Sequence, residues 1–146
     1  MNALLTDEGH PGIIHTMKIT RNVKPDFIDE RGCILRPLND IIKEKIRSVS
    51  IITSNGGMIR GNHYHKKETH YMYIVEGKMD YYEKLITKPK SKPKKVSLKK
   101  GDMVYTSALY THAVKFHTSG TVIYFSTAHR TKKGDLGDTF KEVVIS

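Results

Sequence analysis

Gly57-Met-Ile-Arg-Gly-Asn-His63-Tyr-His65-Lys-Lys-Glu-Thr-His70-Tyr-Met-Tyr-Ile-Val-Glu-Gly77 is the stretch that decides how this chain folds. Apolar, aromatic and β-branched residues alternate with polar ones at strand period in its two halves, and the short polar run Lys66 to Thr69 reads as the turn between them. Strand side chains alternate between faces, so His63 and His65 point the same way, and the returning strand puts His70, Met72 and Ile74 on one face. His112 opens a later apolar run, Ala113 to Phe116. This spacing lets hairpins of a small barrel aim His63, His65, His70 and His112 at one point, which makes a metal site the leading expectation.

Outward from this stretch, short apolar runs separated by Gly, Asn or Lys clusters continue along the chain. Strands are expected near Gly32–Leu35, Ser48–Thr53, Met58–His65, His70–Glu76, Lys78–Lys84, Lys95–Leu98, Met103–Thr106, Ala113–Phe116, Val122–Ser126 and Glu142–Ile145, with one helical turn over Asn39–Lys45. Asn55-Gly56-Gly57, Glu76-Gly77 and Ser119-Gly120 supply residues that tolerate positive φ at tight turns. Many short strands with regular turns imply an all-β barrel or jelly roll. Residues 1–16 read as an N-terminal arm and 17–146 as one domain, a division that suits a chain of 146 residues.

Composition narrows the function classes. The net charge of +10 resembles that of a nucleic-acid binder, but eight lysines fall between Lys84 and Lys100 with no acid among them, leaving only +2 elsewhere. Pro89 and Pro93 interrupt the run, so it reads as an exposed loop joining two strands. No pattern of stacking aromatics accompanies the lysines, and nucleic acid is not the expected partner; a solvated loop is the simplest reading, and steering of an anionic small molecule the next. The single Cys33 excludes an internal disulfide and suits a reducing compartment. The first residues lack a signal-peptide pattern, and no stretch approaches the roughly 18 apolar residues of a membrane span, so a cytoplasmic protein is expected.

The segment Gly57 to Gly77 resembles the first cupin motif: a glycine, five residues, His-x-His, an acid after three or four residues, and a closing glycine. His70 stands where that family usually has Glu. Gly101-Asp-Met-Val-Tyr-Thr-Ser-Ala-Leu-Tyr-Thr-His112 is similar to the second motif in its glycine and histidine, with Ser107, Leu109 and Phe116 at positions that usually hold Pro, Gly and Asn. The resemblance implies an all-β, double-stranded β-helix, the jelly-roll barrel, with His63, His65, His70 and His112 converging on a divalent transition metal such as Zn, Fe or Ni. A lone histidine is more often an ordinary core or surface imidazole, and His10, His15, His117 and His129 are read that way; four on motif positions reverse the balance. Glu68 is read as an exposed turn acid, with an offset ligand the lesser alternative.

Phe27-Ile-Asp-Glu-Arg31-Gly32 and Arg60-Gly61-Asn-His63-Tyr-His65 resemble the cupins of deoxysugar and polysaccharide biosynthesis: the dTDP-sugar 3,4-ketoisomerases, the dTDP-4-dehydrorhamnose 3,5-epimerases and the cupin domain of capsular polysaccharide reductases. That resemblance implies Arg31 and Arg60 as phosphate-binding residues, since guanidinium pairs bidentately with phosphate. It also implies His63 as general base with His65 beside it, and Tyr124 as a substitute for the epimerases' acid tyrosine. A nitrogen bound to metal cannot also accept a substrate proton, so the two roles of His63 exclude each other. The expected function is a metal-binding isomerase or epimerase of a nucleotide-linked keto sugar. A metal-dependent oxygenase, lyase or cyclase on a small acid or polyketide-like substrate is the alternative, and a non-catalytic ligand-binding cupin the third. Tyr71, Tyr73 and Val75 face away from the histidines and favour a homodimer, or cover by the chain's own terminal arm.

Overall fold

The computed structural model describes residues 17–38, 42, 44–133 and 137–146. The expected N-terminal arm, with His10 and His15, lies outside the described residues, as does most of the expected helical turn over Asn39–Lys45. No helix occurs among the described residues, and none is therefore long and apolar enough to cross a membrane.

The described residues form twelve strands: β1 (Lys18–Thr20), β2 (Phe27–Asp29), β3 (Gly32–Ile34), β4 (Ser48–Ser54), β5 (Ile59–Tyr64), β6 (His70–Glu76), β7 (Lys78–Leu85), β8 (Lys94–Lys99), β9 (Met103–Thr106), β10 (Tyr110–Phe116), β11 (Gly120–Ser126) and β12 (Phe140–Lys141). They assemble into two five-stranded antiparallel sheets, ordered β1-β9-β6-β11-β4 and β12-β5-β10-β7-β8, plus the β2–β3 hairpin. The expected jelly roll is present. The strand expected over Glu142–Ile145 is corrected to Phe140–Lys141, because the residues after it are tied by Asn62 instead of a ladder: the Asn62 side-chain oxygen accepts from Val144 N–H at 2.9 Å and its amide donates to the Ile145 carbonyl at 3.0 Å. β1 and β2 were not expected; at three residues each they are too short to show a period.

The two sheets face each other, and their inward rows grade from apolar to polar. Along β10 the inward residues run Phe116, Val114, His112, and along β7, directly opposite, Met79, Tyr81, Glu83. Along β6 they run Ile74, Met72, His70, and along β11, Val122, Tyr124, Ser126. The apolar ends, with Leu98 and Val104, form the closed core. Each fully buried side chain of this kind contributes about 1.5–3 kcal/mol, so one end holds the barrel while the other can carry unpaired polar groups. Position along the strand thus separates stability from chemistry.

The lysine-rich segment is the β7–β8 hairpin. Lys84 pairs with Glu142 at 3.2 Å and Lys95 with Asp80 at 3.6 Å; Lys88, Lys90 and Lys92 lie in its exposed tip. Tyr71 and Tyr73 are half-buried, with the Tyr71 ring tilted against Tyr105 (4.8 Å between centroids) and its hydroxyl hydrogen-bonded to Glu44, so the outer face they occupy is partly covered by the chain itself.

Candidate active site

A bulge aims β5. The β5–β10 register pairs Ile59, Arg60 and Gly61 with Lys115, Val114 and Ala113, then shifts by one so that His63 pairs with His112. Asn62 is the extra residue, and it and Gly61 take positive φ, 55° and 92°. Directly paired residues share a face. Arg60 therefore faces the cavity with Val114, and His63 lies on the same side with His112, although they stand three positions apart in a strand whose period is two. His65 follows just past the end of β5 on the same side.

The four imidazoles converge. Ring centroids lie 4.7 Å apart for His63–His112, 4.9 Å for His63–His65, 5.4 Å for His65–His112, 5.0 Å for His70–His112 and 5.8 Å for His65–His70. His65, His70 and His112 are buried, and His63 is half-buried toward the opening. The His65 Nδ1 donates to the Asp138 carbonyl at 2.7 Å and the His112 Nδ1 to the Tyr110 carbonyl at 3.0 Å. A carbonyl only accepts, so each Nδ1 carries the proton and each Nε2 keeps its lone pair. Neither nitrogen of His70 has a hydrogen-bond partner among the described residues. Burial, then the neighbouring imidazoles, holds His70 well below the usual histidine range; burial, then His63, pulls His112 down to about 3. Both are neutral at pH 7.

These residues fit a metal ion. An ion ~2.0–2.1 Å from an imidazole nitrogen sits roughly 3.2 Å from the ring centre, and tetrahedral ligands then place ring centres roughly 5.2 Å apart, which the observed spacings bracket. Nitrogens of His63, His65 and His112 lie within 4.8 Å of one another, and so do ligand atoms of His65, Glu68 and His70. The carbonyls behind His65 and His112 orient the rings as second partners of metal-binding histidines do.

Glu68, expected as an exposed turn acid, is 4% exposed. It accepts from Ser126 Oγ at 2.7 Å and from Arg130, whose Nη2 reaches both carboxylate oxygens at 2.6 and 2.5 Å. The carboxylate also lies 3.5 Å from His65 Nδ1 and 3.8 Å from His70 Nδ1. Arg130 had no local signature: it meets Glu68 only because β11 lies beside β6. Burial and then the Glu68 charge push the Tyr124 hydroxyl up to about 12, and its ring lies 4.8 Å from that of His70.

His63, His65, His70, Glu68, Tyr124, Ser126 and Arg130 line a cavity of about 360 Å³, with Ser50, Ile52 and Gly61 along one side and Met72, Val114, Phe116 and Val122 at its inner end; His112 lies buried behind His63 and His70. That volume suits a small molecule or part of one. Arg60 lines it and donates to the Thr53 carbonyl at 2.9 Å. Arg31 does not line it: its side chain, 79% exposed in the β2–β3 turn, is paired with Asp29. The hairpin forms its own two-stranded sheet, which sets Arg31 apart from this chain's own cavity. His117 and His129 are exposed, as expected.

The described strands form an RmlC-like cupin fold around a buried imidazole cluster. Residues 28–140 match the polysaccharide biosynthesis C-terminal domain, and the chain belongs to that family. No curated protein matches it in sequence. Similar solved structures include the QdtA 3,4-ketoisomerase of Thermoanaerobacterium thermosaccharolyticum (21% identity, TM-score 0.68, 89% of this chain and 90% of that one). The WlaRB TDP-quinovose 3,4-ketoisomerase of Campylobacter jejuni (19%, TM-score 0.67, 84% and 92%) is also similar. So is the dTDP-6-deoxy-D-glucose-3,5-epimerase of Legionella pneumophila (16%, TM-score 0.66, 86% and 71%).

Proposed function

We propose that this protein is a metal-binding isomerase or epimerase that moves a proton next to the carbonyl of a nucleotide-linked keto sugar. The observation that carries it is one cavity lined by His63, His65 and a neutral His70, a protonated phenol and two arginines. Proton transfer beside a ketone needs a base at carbon, a donor at oxygen and an anchor for the anionic remainder of the substrate. All three are supplied by named side chains.

His63, His65 and His112 would hold a divalent ion such as zinc, iron or nickel, with His70 beside them. Bound there, the ion would polarise the substrate carbonyl as a Lewis acid. Because a nitrogen holding an ion cannot take a proton, the base role implied for His63 passes to His70, which is neutral and has no hydrogen bond to give up. His70 Nε2 takes the proton from the carbon next to the carbonyl, and the imidazolium that forms is stabilised by the Glu68 carboxylate near Nδ1. Tyr124, kept protonated by burial, gives its proton to the carbonyl oxygen. Return of a proton to the opposite face of the same carbon yields the epimer; return to the former carbonyl carbon, with loss of the neighbouring hydroxyl proton, shifts the ketone. Arg60 pairs with the diphosphate, as guanidinium does with phosphate oxygens, and Arg130 holds the Glu68 carboxylate in place.

A homodimer completes the assembly. The β2–β3 hairpin exposes Phe27, Ile28 and Ile34, and the edge strand β4 exposes Val49 and Ile51 while its other face, Ser50 and Ile52, lines the cavity. Seating each hairpin on the partner's β4 covers both apolar surfaces and brings Arg31 toward the partner's phosphate site.

The test is exchange with solvent. Incubated in D₂O with dTDP- or UDP-linked 4-keto-6-deoxy sugars, the protein should incorporate deuterium beside the carbonyl, read by proton NMR, and Tyr124→Phe should slow this at least about 100-fold. No incorporation with any such sugar, by protein carrying its full metal complement, would sink the proposal.

A further inference from the structure

Asp138 lies 70 residues beyond the histidine turn in sequence, yet it is built into that turn. Its carboxylate accepts three consecutive backbone N–H groups, from Lys66 at 2.8 Å, Lys67 at 3.0 Å and Glu68 at 2.9 Å, while its own carbonyl accepts from His65 Nδ1 at 2.7 Å. Successive amides converging on one carboxylate form an anion nest, which fixes the backbone that makes it. Those amides, working against burial, hold the Asp138 carboxyl below the usual range.

The sequence around the turn shows why it needs such a clamp. His65 and Glu68 both lie between β5 and β6, outside either ladder. The His65 backbone is held from the facing loop by Leu109 N–H, which donates to its carbonyl at 2.7 Å, and the ring nitrogen Nδ1 has Thr139 Oγ1 at 3.4 Å and the Glu68 carboxylate at 3.5 Å besides the Asp138 carbonyl. Ser126 and Arg130 hold the Glu68 carboxylate from the far side, while the Asp138 carboxylate fixes the backbone of Lys66, Lys67 and Glu68 from which that side chain turns inward.

We propose that Asp138 is a positioning residue for the site: its carboxylate sets the turn that directs Glu68 to Arg130 and His70, and its carbonyl selects the His65 tautomer that presents Nε2 to the cavity. The C-terminal segment is held in register to do this by β12, where Phe140 and Lys141 pair with Tyr64 and His63. This proposal rests on the reading of the histidines as an ion and proton site, but its structural part does not.

The experiment compares wild type with Asp138→Ala and Asp138→Asn, and with Asp80→Asn as a control. Asp80 binds Ser97, Lys95 and His117 on the outer face of β7 and touches none of the four histidines. Nitrogen-15 NMR of the imidazoles reports the His65 tautomer without any metal or substrate, and competition with a chelating dye reports zinc affinity. Asp138→Ala keeps the carbonyl but releases the three amides that hold it against His65, so it should convert His65 from one tautomer to an averaged pair and weaken zinc about 10–100-fold, the range for lost second partners of metal-binding histidines. Asp80→Asn should lower the unfolding midpoint and change neither. Should Asp138→Ala fail to fold, Asp138→Asn, which keeps the shape and one acceptor oxygen, should fold and show a smaller change in the same direction. A His65 tautomer and zinc affinity like wild type in a folded Asp138 variant would overturn the proposal. Wild type that binds no zinc would remove the ion reading alone, and the tautomer would still decide the role of Asp138.

Discussion

Gly61 stands so close to His112 that a Cβ added to it would lie 2.7 Å from the His112 carbonyl oxygen. The approach is what allows the bulge at Asn62 to change the parity of β5 between Arg60 and His63. Gly61→Ala must open the β5–β10 ladder at this point and adopt φ near 92°, which L side chains resist. A loss of about 2 kcal/mol or more is expected in urea unfolding, together with weaker metal binding, because His63 and His112 no longer pair. An alanine variant as stable as wild type would show that the bulge is not held by this contact.

Acid should destabilise the fold through the cluster. His70 and His112 have folded pKa values below that of an unfolded histidine, so the unfolded chain binds more protons between pH 6.5 and the folded values. Their contribution is present in full above about pH 6.5 and is lost as pH falls toward 3. Each imidazole contributes a slope of up to about 1.4 kcal/mol per pH unit. Urea midpoints at pH 7.5 and 5.5 measure it, and His112→Asn should flatten the dependence.

His70→Glu separates ion binding from proton transfer. The His63, His65 and His112 triad remains, with the carboxylate usual for the family beside it, so about one metal ion per chain should persist in elemental analysis. Deuterium exchange should fall about 100-fold or more, since removing a positioned base costs that much. Undiminished exchange would return the base role to His63.

Ile51 is 74% exposed on the edge strand that borders the cavity. If partner hairpins seat there, Ile51→Glu should convert a dimer to monomers in light scattering at micromolar concentration. Arg31→Ala should then raise KM several-fold while leaving the dimer intact, and an unchanged KM would exclude Arg31 from the phosphate site.

Much of the fold was legible because period-two alternation depends only on neighbours in sequence. His70, Met72 and Ile74 share a face for that reason alone, and β6 and β9 fall where the pattern puts them. The histidine cluster was legible for a different reason, the motif spacing of His63, His65, His70 and His112. What escaped was whatever depends on pairs distant in sequence. Glu68 reads as an exposed turn acid until Arg130, Ser126 and the Asp138 nest surround it, and none of those three carries a local signature. Arg31 and Arg60 look equivalent beside their glycines, yet one lies in a separate hairpin and the other in the cavity wall.

The chain by itself determined the strand alternation, the turn positions and the set of imidazoles, because these follow from side-chain period and spacing along one segment. Only the tertiary structure decided which nitrogens keep their lone pairs, that the β5 bulge turns both Arg60 and His63 inward, and that a buried carboxylate sits beneath the cluster. Hydrogen-bond partners and desolvation come from elements brought together by the barrel, and sequence spacing carries no record of them.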